Sequence, residues 1–228
     1  MNYTLVLLSG GMGTRMHNAV PKQYMLLAGK PVIMHILERV DQIDRIDEVV
    51  VVCAPEYEAS IQLMLNQYGV QKTVRFVPAG ATRQDSVRSG LSVVTSKNVI
   101  IHEAARPFVK VQDFERLLDE PQSNAILGTS IPFTVVRGHA NVEGLLTRSE
   151  LVNVQLPQKF DTELIRQAHT NALRDKLEFT EDASMLFHYF PSAEIKICEG
   201  MDYNIKLTTR IDMLAGEQIY EDVFARRK

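Results

Sequence analysis

The sequence predicts an α/β protein: a mostly parallel, twisted sheet with helices on both faces and a β-arm projecting from it. Continuous apolar runs such as YTLVLL and EVVVVC alternate with amphipathic stretches. Strands covered on both faces read in this way, whereas half-exposed ones alternate. The first apolar run ends in a glycine-rich loop, as a strand does when it opens onto a ligand at the edge of a sheet. The stretch 133–158 differs, because polar and apolar residues alternate around the turn formers Gly138, Asn141 and Gly144. That pattern predicts a hairpin, and a hairpin unable to bury itself predicts packing on a second subunit.

Strands are expected at residues 3–8, 48–53, 73–78, 98–102, 125–131 and 194–199, each an apolar run bounded by turn or charged residues. Between them, amphipathic periodicity predicts helices at 31–41, 55–68, 83–95, 111–120, 162–175, 182–189 and 210–226. Pro31 and Pro55 stand at helix starts, where a missing N–H costs nothing. No internal repeat or low-complexity segment interrupts the 228 residues, so one domain spanning 1–228 is expected, with a dimerisation arm at about 133–158.

At 45% hydrophobic and 23% charged residues, a chain of this length can bury a substantial core. A net charge of −3 supplies no basic field for a polyanionic duplex and argues against a nucleic-acid partner. Cys53 and Cys198 sit in apolar contexts and read as buried thiols rather than a disulfide or metal pair, which suits a reducing compartment. No apolar run approaches the roughly 18 residues of a membrane span, and the N-terminus lacks a signal-peptide pattern, so no membrane association and a cytoplasmic location are expected.

The loop Ser9-Gly10-Gly11-Met12-Gly13-Thr14-Arg15-Met16, followed by Pro21-Lys22-Gln23, would present backbone N–H groups and two cations to a ligand above the strand. That outlines a triphosphate site. A dinucleotide fingerprint needs a small residue where Met16 stands, and a Walker loop needs Gly-Lys-Ser/Thr where Gly13-Thr14-Arg15 stands. An arginine within the loop and a lysine seven residues further on suit nucleotidyl transfer instead; an ordinary tight strand-to-helix turn with exposed cations is the plainer account.

Other segments fall at strand ends, where ligands bind in open parallel sheets. Residues 79–86, AGATRQDS, combine small residues that admit a flat base with a helix start at Thr82 or Asp85. Base recognition by main-chain groups and Ser86, and simple helix capping, are both open at this point. In His102-Glu103-Ala104-Ala105-Arg106-Pro107 a carboxylate and a guanidinium flank two alanines. A surface ion pair would explain them, and so would a magnesium ligand beside a triphosphate. TEDAS (180–184) and GMDYNIKLTT (200–209) add acidic residues and Lys206.

In this order, LSGGMGTRM with PKQY, ATRQDSVRSGL, VIIHEAARPFV, QLPQKF, TEDAS, and GMDYNIKLTT followed by Asp212 closely resemble the cytidylyltransferases of polyol phosphates. These act on 2-C-methyl-D-erythritol 4-phosphate or ribitol 5-phosphate. The resemblance implies a Rossmann-like nucleotidyltransferase domain, a homodimer built through the arm, CTP and a polyol phosphate as substrates, Mg2+ or another divalent cation, and release of pyrophosphate. It implies catalytic roles for Arg15, Lys22 and Lys206. Nucleotide binding falls to Ser9, Gly10, Gly11, Met12, Gly13, Thr14, Ala79, Gly80, Arg83, Asp85, Ser86 and Ala104. The acceptor falls to Arg106, Thr134, Arg148 and Thr180, with Thr134 and Arg148 reaching across the dimer, and the metal to Glu103.

The chemistry requires such residues. An acceptor phosphate, with a second pKa near ~6, is already an anionic nucleophile at neutral pH and needs no Ser/His/Asp triad. The obstacle is charge repulsion at the α-phosphorus of CTP, which clustered cations relieve. Glu103 and Glu181 stand where the family carries Asp, and Leu156 replaces a threonine expected at the acceptor. Methylerythritol phosphate is the expected acceptor; ribitol 5-phosphate or another wall or capsule polyol phosphate is the alternative. A CTP-binding subunit without catalysis and a nicotinamide-dependent oxidoreductase are the readings from other classes. The retained Arg15, Lys22 and Lys206 count against the first, and Met16 against the second.

Overall fold

Strand β1 (Tyr3–Leu8) lies inside the main sheet, and every one of its side chains is buried. The computed structural model describes residues 2–11 and 20–225. Parallel to β1 run β4 (Ile46–Cys53) and β6 (Asn98–Glu103), and β5 (Thr73–Pro78) extends the sheet beyond β4. The other half contains β7 (Ala125–Ser130), β10 (Val152–Asp161) and β11 (Lys196–Glu199). Among the described residues the order is β11-β7-β10-β6-β1-β4-β5, with β10 antiparallel to both β6 and β7. A short pair, β2 (Leu26–Leu27) and β3 (Lys30–Pro31), lies outside this sheet.

Because successive side chains of a strand point to opposite faces, β1 supplies two cores at once. Leu5 and Leu7 join Val49, Val51 and Ile100 on one face, where they meet α1 (Val32–Asp41), α2 (Glu58–Tyr68) and α4 (Val111–Asp119). Val6 and Leu8 join Val50, Val52 and Ile101 on the other. They pack on α3 (Arg83–Leu91), α5 (Thr162–Asp175) and α6 (Asp182–Tyr189). The continuous apolar run at the N-terminus therefore records burial on both faces, at about 1.5–3 kcal/mol for each large aliphatic side chain. Cys53 and Cys198 are both buried and unpaired with each other.

The expected helices form with adjusted ends. The first turn of the 55–68 helix is a 3-10 turn, Pro55–Tyr57, and α2 stops at Gly69, whose φ of 71° is the left-handed conformation that glycine adopts without strain. The 83–95 helix closes at Leu91. Helix α7 (Arg210–Tyr220) continues as a π-turn, Glu221–Ala225.

The extent of the arm needs correction. Only β8 (Val136–Gly138) and β9 (Val142–Leu145) form the hairpin; Val152–Asp161, expected to belong to the arm in part, is a ten-residue strand of the main sheet. The interior position of β10 buries the polar residues Gln155, Gln158 and Lys159, which is why its pattern does not read as a core strand. Lys159 and Gln155 gain hydrogen bonds from distant parts of the chain, while Gln158 Nε2 lies 3.5 Å from the Gln155 carbonyl. Lys159 Nζ donates to the carbonyl of Glu120 at 2.6 Å, and Gln155 holds Met201 through both amide atoms. Polar groups are tolerated inside when paired in this way.

Helix α3 lies close enough to the sheet that a Cβ at Gly90 would stand 2.4 Å from Val6 Cγ1 and 3.0 Å from Val52 Cγ2. Alanine normally stabilises a helix interior over glycine by about 1 kcal/mol. Overpacking at this contact costs about 1–3 kcal/mol. Gly90→Ala is therefore expected to destabilise the protein, read as a lower midpoint in urea unfolding; an unchanged or higher midpoint would show that the helix can lift off the sheet at no cost.

Candidate active site

The carboxyl ends of β1, β5 and β6 open into a cavity of about 430 Å3. Its lining includes Ser9, Gly10 and Gly11 after β1, Gly80 through Arg83 with Ser86 after β5, Glu103 at the end of β6, and Lys22, Gln23 and Lys206. Five stretches of sequence thus converge there. Arg15, Met12, Gly13 and Thr14 lie outside the described residues.

The glycine loop is fixed from beside and below. Gln23 Nε2 donates to the carbonyls of Ser9 at 2.7 Å and Gly11 at 3.1 Å, which explains why a glutamine follows Lys22. The Tyr24 hydroxyl donates to the Ser9 carbonyl at 3.2 Å and accepts from Ser9 Oγ at 3.1 Å. Burial pushes this phenol up to about 12, so it stays a neutral donor. A Cβ at Gly10 would fall 2.3 Å from Ala79 Cβ, so these loops can approach only with glycine there.

After β5 the helix-capping account is borne out. Thr82 and Asp85 form a reciprocal capping box at the start of α3, with Asp85 also paired to Arg88 at 2.8 Å. Ser86 Oγ accepts from the Gly80 N–H at 3.1 Å and donates to the Thr82 carbonyl at 2.9 Å. Gly80 and Ser86 still face the cavity, but Ala79 and Asp85 line a second depression, which shares Gly80 and Ala81 with it. Ala104 is also displaced from its expected role. It lies in the core with its N–H given to the Leu8 carbonyl at 3.0 Å, while Ala105 is the alanine on the cavity wall.

Glu103 organises the charges. Its Oε1 accepts from Arg83 Nε at 2.9 Å and its Oε2 faces Lys206 Nζ at 2.5 Å. Burial works to raise its pKa, and Lys206 and Arg83 outweigh that, holding it at about 2. The expected surface pair with Arg106 is not formed; Arg106 Nη1 donates to the Asn204 carbonyl at 3.0 Å instead. Arg83 continues through Nη2 to Asp182 Oδ2 at 2.8 Å, and Asp182 Oδ1 meets His169 Nε2 at 3.0 Å.

Lys206 arrives from more than a hundred residues away because its loop is tied on both sides. Asn204 Nδ2 donates to the Leu156 carbonyl at 2.7 Å, the Leu207 N–H to the Ala105 carbonyl at 2.8 Å, and Asp212 caps α7 while holding the Thr208 N–H at 2.7 Å. Gln155, Asn204 and Asp212 are thus scaffolding for the lysine.

A second cavity of about 200 Å3 adjoins the first. Arg83, Glu103 and Lys206 line both, and Arg106, Thr180, Leu156 and Glu181 are among the residues that line the second alone. Arg106 and Thr180 therefore sit together as expected. Arg148 and Thr134 do not join them within one chain: Thr134 is exposed on the arm, and Arg148 Nη1 donates to the Pro132 carbonyl at 3.2 Å in a separate depression. Glu181 caps α6, its carboxylate accepting from the N–H groups of Ala183 at 2.8 Å and Ser184 at 2.9 Å, a role its longer side chain fills.

Among the described residues no group of three or more His, Cys, Asp or Glu side chains could hold a metal ion. Among the described residues Glu103 is the one carboxylate on the larger cavity's wall. That donor set does not fit a resident metal cage, but it does fit magnesium carried by a triphosphate, which needs one or two carboxylates plus phosphate oxygens.

A mostly parallel sheet with a glycine loop after its central strand, and cations and a carboxylate around a nucleotide-sized cavity, is the architecture of an α/β nucleotidyltransferase. Residues 3–222 match the model of the family described as 2-C-methyl-D-erythritol 4-phosphate cytidylyltransferase, and the chain belongs to that family. It is 36% identical over 225 residues to the chloroplastic enzyme of that name from Oryza sativa subsp. japonica, covering 96% of this chain and 74% of the relative. It is 34% identical to the Geobacillus thermodenitrificans protein of that name, covering 96% and 97%. Among solved structures, 4-diphosphocytidyl-2C-methyl-D-erythritol synthase from Anaerococcus prevotii superposes with a TM-score of 0.84 at 26% identity, covering 96% of this chain and 98% of that one. No helix among the described residues is long and apolar enough to cross a membrane.

A carboxylate with a depressed pKa stabilises the fold above its unfolded value, and that contribution is lost as pH falls through the folded value. For Glu103 the window runs from 4.5 down to about 2. Glu103→Gln is expected to flatten the acid limb of stability in this window, measured by urea unfolding across a pH series; a limb as steep as wild type would place the titration elsewhere.

Proposed function

We propose that this chain transfers CMP from CTP to the phosphate of 2-C-methyl-D-erythritol 4-phosphate and releases pyrophosphate. The observation that carries this reading is the shared wall of Arg83, Glu103 and Lys206 between a larger and a smaller cavity. A nucleoside triphosphate in the larger one and a small phosphorylated polyol in the smaller would meet at that wall.

In this reading an acceptor phosphate oxygen forms the bond to the α-phosphorus, and the bond from that phosphorus to the bridging oxygen breaks, with pyrophosphate leaving. Lys206 lies where it can meet both reacting phosphates, Lys22 supports the triphosphate within the cavity, and Arg15 adds a third cation from the glycine loop. The N–H groups of Gly10 and Gly11 wrap the phosphates, and Gly80, Ala81 and Ser86 leave room for a flat base. Glu103 is the residue that would hold magnesium, which supplies charge neutralisation on the phosphates. Arg106 and Thr180 serve the acceptor, and Leu156 gives that cavity an apolar wall.

The arm supports a homodimer. Phe133 is 77% exposed and Leu145 85% exposed, with Val142 and Leu146 beside them in sequence or on the same hairpin, a set of large apolar side chains that one chain leaves uncovered. Arg148 and Thr134 would then complete the acceptor site of the opposite subunit. A cytoplasmic location accords with the free buried thiols.

Purified protein with CTP and magnesium is expected to release pyrophosphate with methylerythritol 4-phosphate and not with ribitol 5-phosphate or without acceptor; release with ribitol 5-phosphate alone would reassign the acceptor. Alanine at Arg15, Lys22 or Lys206 should cost on the order of 10²–10³ in rate. Phe133→Asp with Leu145→Asp should convert the dimer to a monomer in sedimentation and weaken acceptor use; a wild-type monomer would remove the arm from this account.

A further inference from the structure

From the wall shared by the two cavities a chain of paired side chains runs back into the protein. Arg83, the first residue of α3, spans two carboxylates with one guanidinium: Nε on Glu103 Oε1 at 2.9 Å and Nη2 on Asp182 Oδ2 at 2.8 Å. Asp182, the first residue of α6, is fully buried, and its second oxygen meets His169 Nε2 at 3.0 Å. A carboxylate only accepts at neutral pH, so Nε2 carries the proton and His169 is the donor. His169 is itself buried, on the inner face of α5.

A fully buried carboxylate is stable only when both oxygens are paired, and breaking one pairing is costly. Here the pairing also fixes a rotamer. Held by Asp182, Arg83 keeps its Nε edge on Glu103, and Glu103 in turn keeps Oε2 aimed at Lys206. Freed from Asp182, the guanidinium would be a mobile cation facing both cavities, able to pair with the substrate in place of Lys206.

We infer that His169 and Asp182 are positioning residues that act through Arg83 to hold Glu103 and Lys206 in place. This inference rests on the transferase reading above. Neither residue lines either cavity, so the effect is on placement of the cations, not on contact with substrate. A misplacement of about 1 Å from outside the site can cost up to about 10²-fold in rate.

The test compares His169→Leu, which removes the donor, with His169→Gln, whose amide can restore it, and with Asp182→Asn, which keeps the shape and removes the charge. The first readout is hydrogen exchange at the Arg83 Nε–H by NMR, the signal being assigned by its loss in Arg83→Lys. The second is steady-state turnover with CTP and acceptor. The leucine and asparagine variants are expected to speed exchange by about tenfold or more. They should lower kcat by about tenfold with the KM for CTP within about threefold, and glutamine should restore both readouts. Wild-type exchange and kcat in the leucine variant would overturn the inference, as would a glutamine variant as impaired as leucine, which would make the ring's packing the whole effect. If the leucine variant does not fold, the glutamine and asparagine variants decide by the same criteria. A wild-type protein without pyrophosphate release would overturn the transferase reading alone, because the exchange measurement still decides whether His169 fixes Arg83.

Discussion

A carboxylate shut away from water must be held by cations, and Glu103 meets that requirement by joining parts of the chain that nothing else would bring together. Arg83 comes from the start of α3, Lys206 from the loop before α7, and Asp182 from the start of α6. Their charges are arranged in alternation, cation to carboxylate to cation to carboxylate, so each buried charge has an opposite neighbour. The site between the cavities is therefore also a structural joint.

The sheet places that joint. Glu103 is the last residue of β6, which lies beside β1 in parallel register, Leu8 opposite Glu103. The glycine loop follows Leu8 directly, so phosphate-binding backbone and carboxylate start from adjacent strand ends. Burial of β1 and β6 on both faces fixes this register, because a slip by one residue would exchange the two cores.

The scaffolding around Lys206 works through amide side chains. Gln155 and Asn204 are buried, and their hydrogen bonds tie the strand β10 to the 200–209 loop. Gln23 does the same for the glycine loop. Amides suit this work because each offers both donor and acceptor to main-chain groups without bringing a charge that would compete with phosphate.

Much of this was legible in the chain itself. Apolar runs mark the parallel strands, glycine spacing excludes the dinucleotide and Walker loops, and Lys22, Gly80, Glu103 and Lys206 each stand in a recognisable motif. Strand β10 is not legible as part of the sheet, because Gln155, Gln158 and Lys159 are polar, and Gln155 and Lys159 find their partners far away in sequence. Asp182 and His169 were equally hidden, since a carboxylate and an imidazole thirteen residues apart become a pair only when α5 and α6 pack. The sequence by itself determined which stretches must be covered by helices and which chemistry the motifs can support, because hydrophobic period and local turn chemistry are short-range. Tertiary structure alone decided which charges face one another, because desolvation and pairing depend on what surrounds a side chain in space.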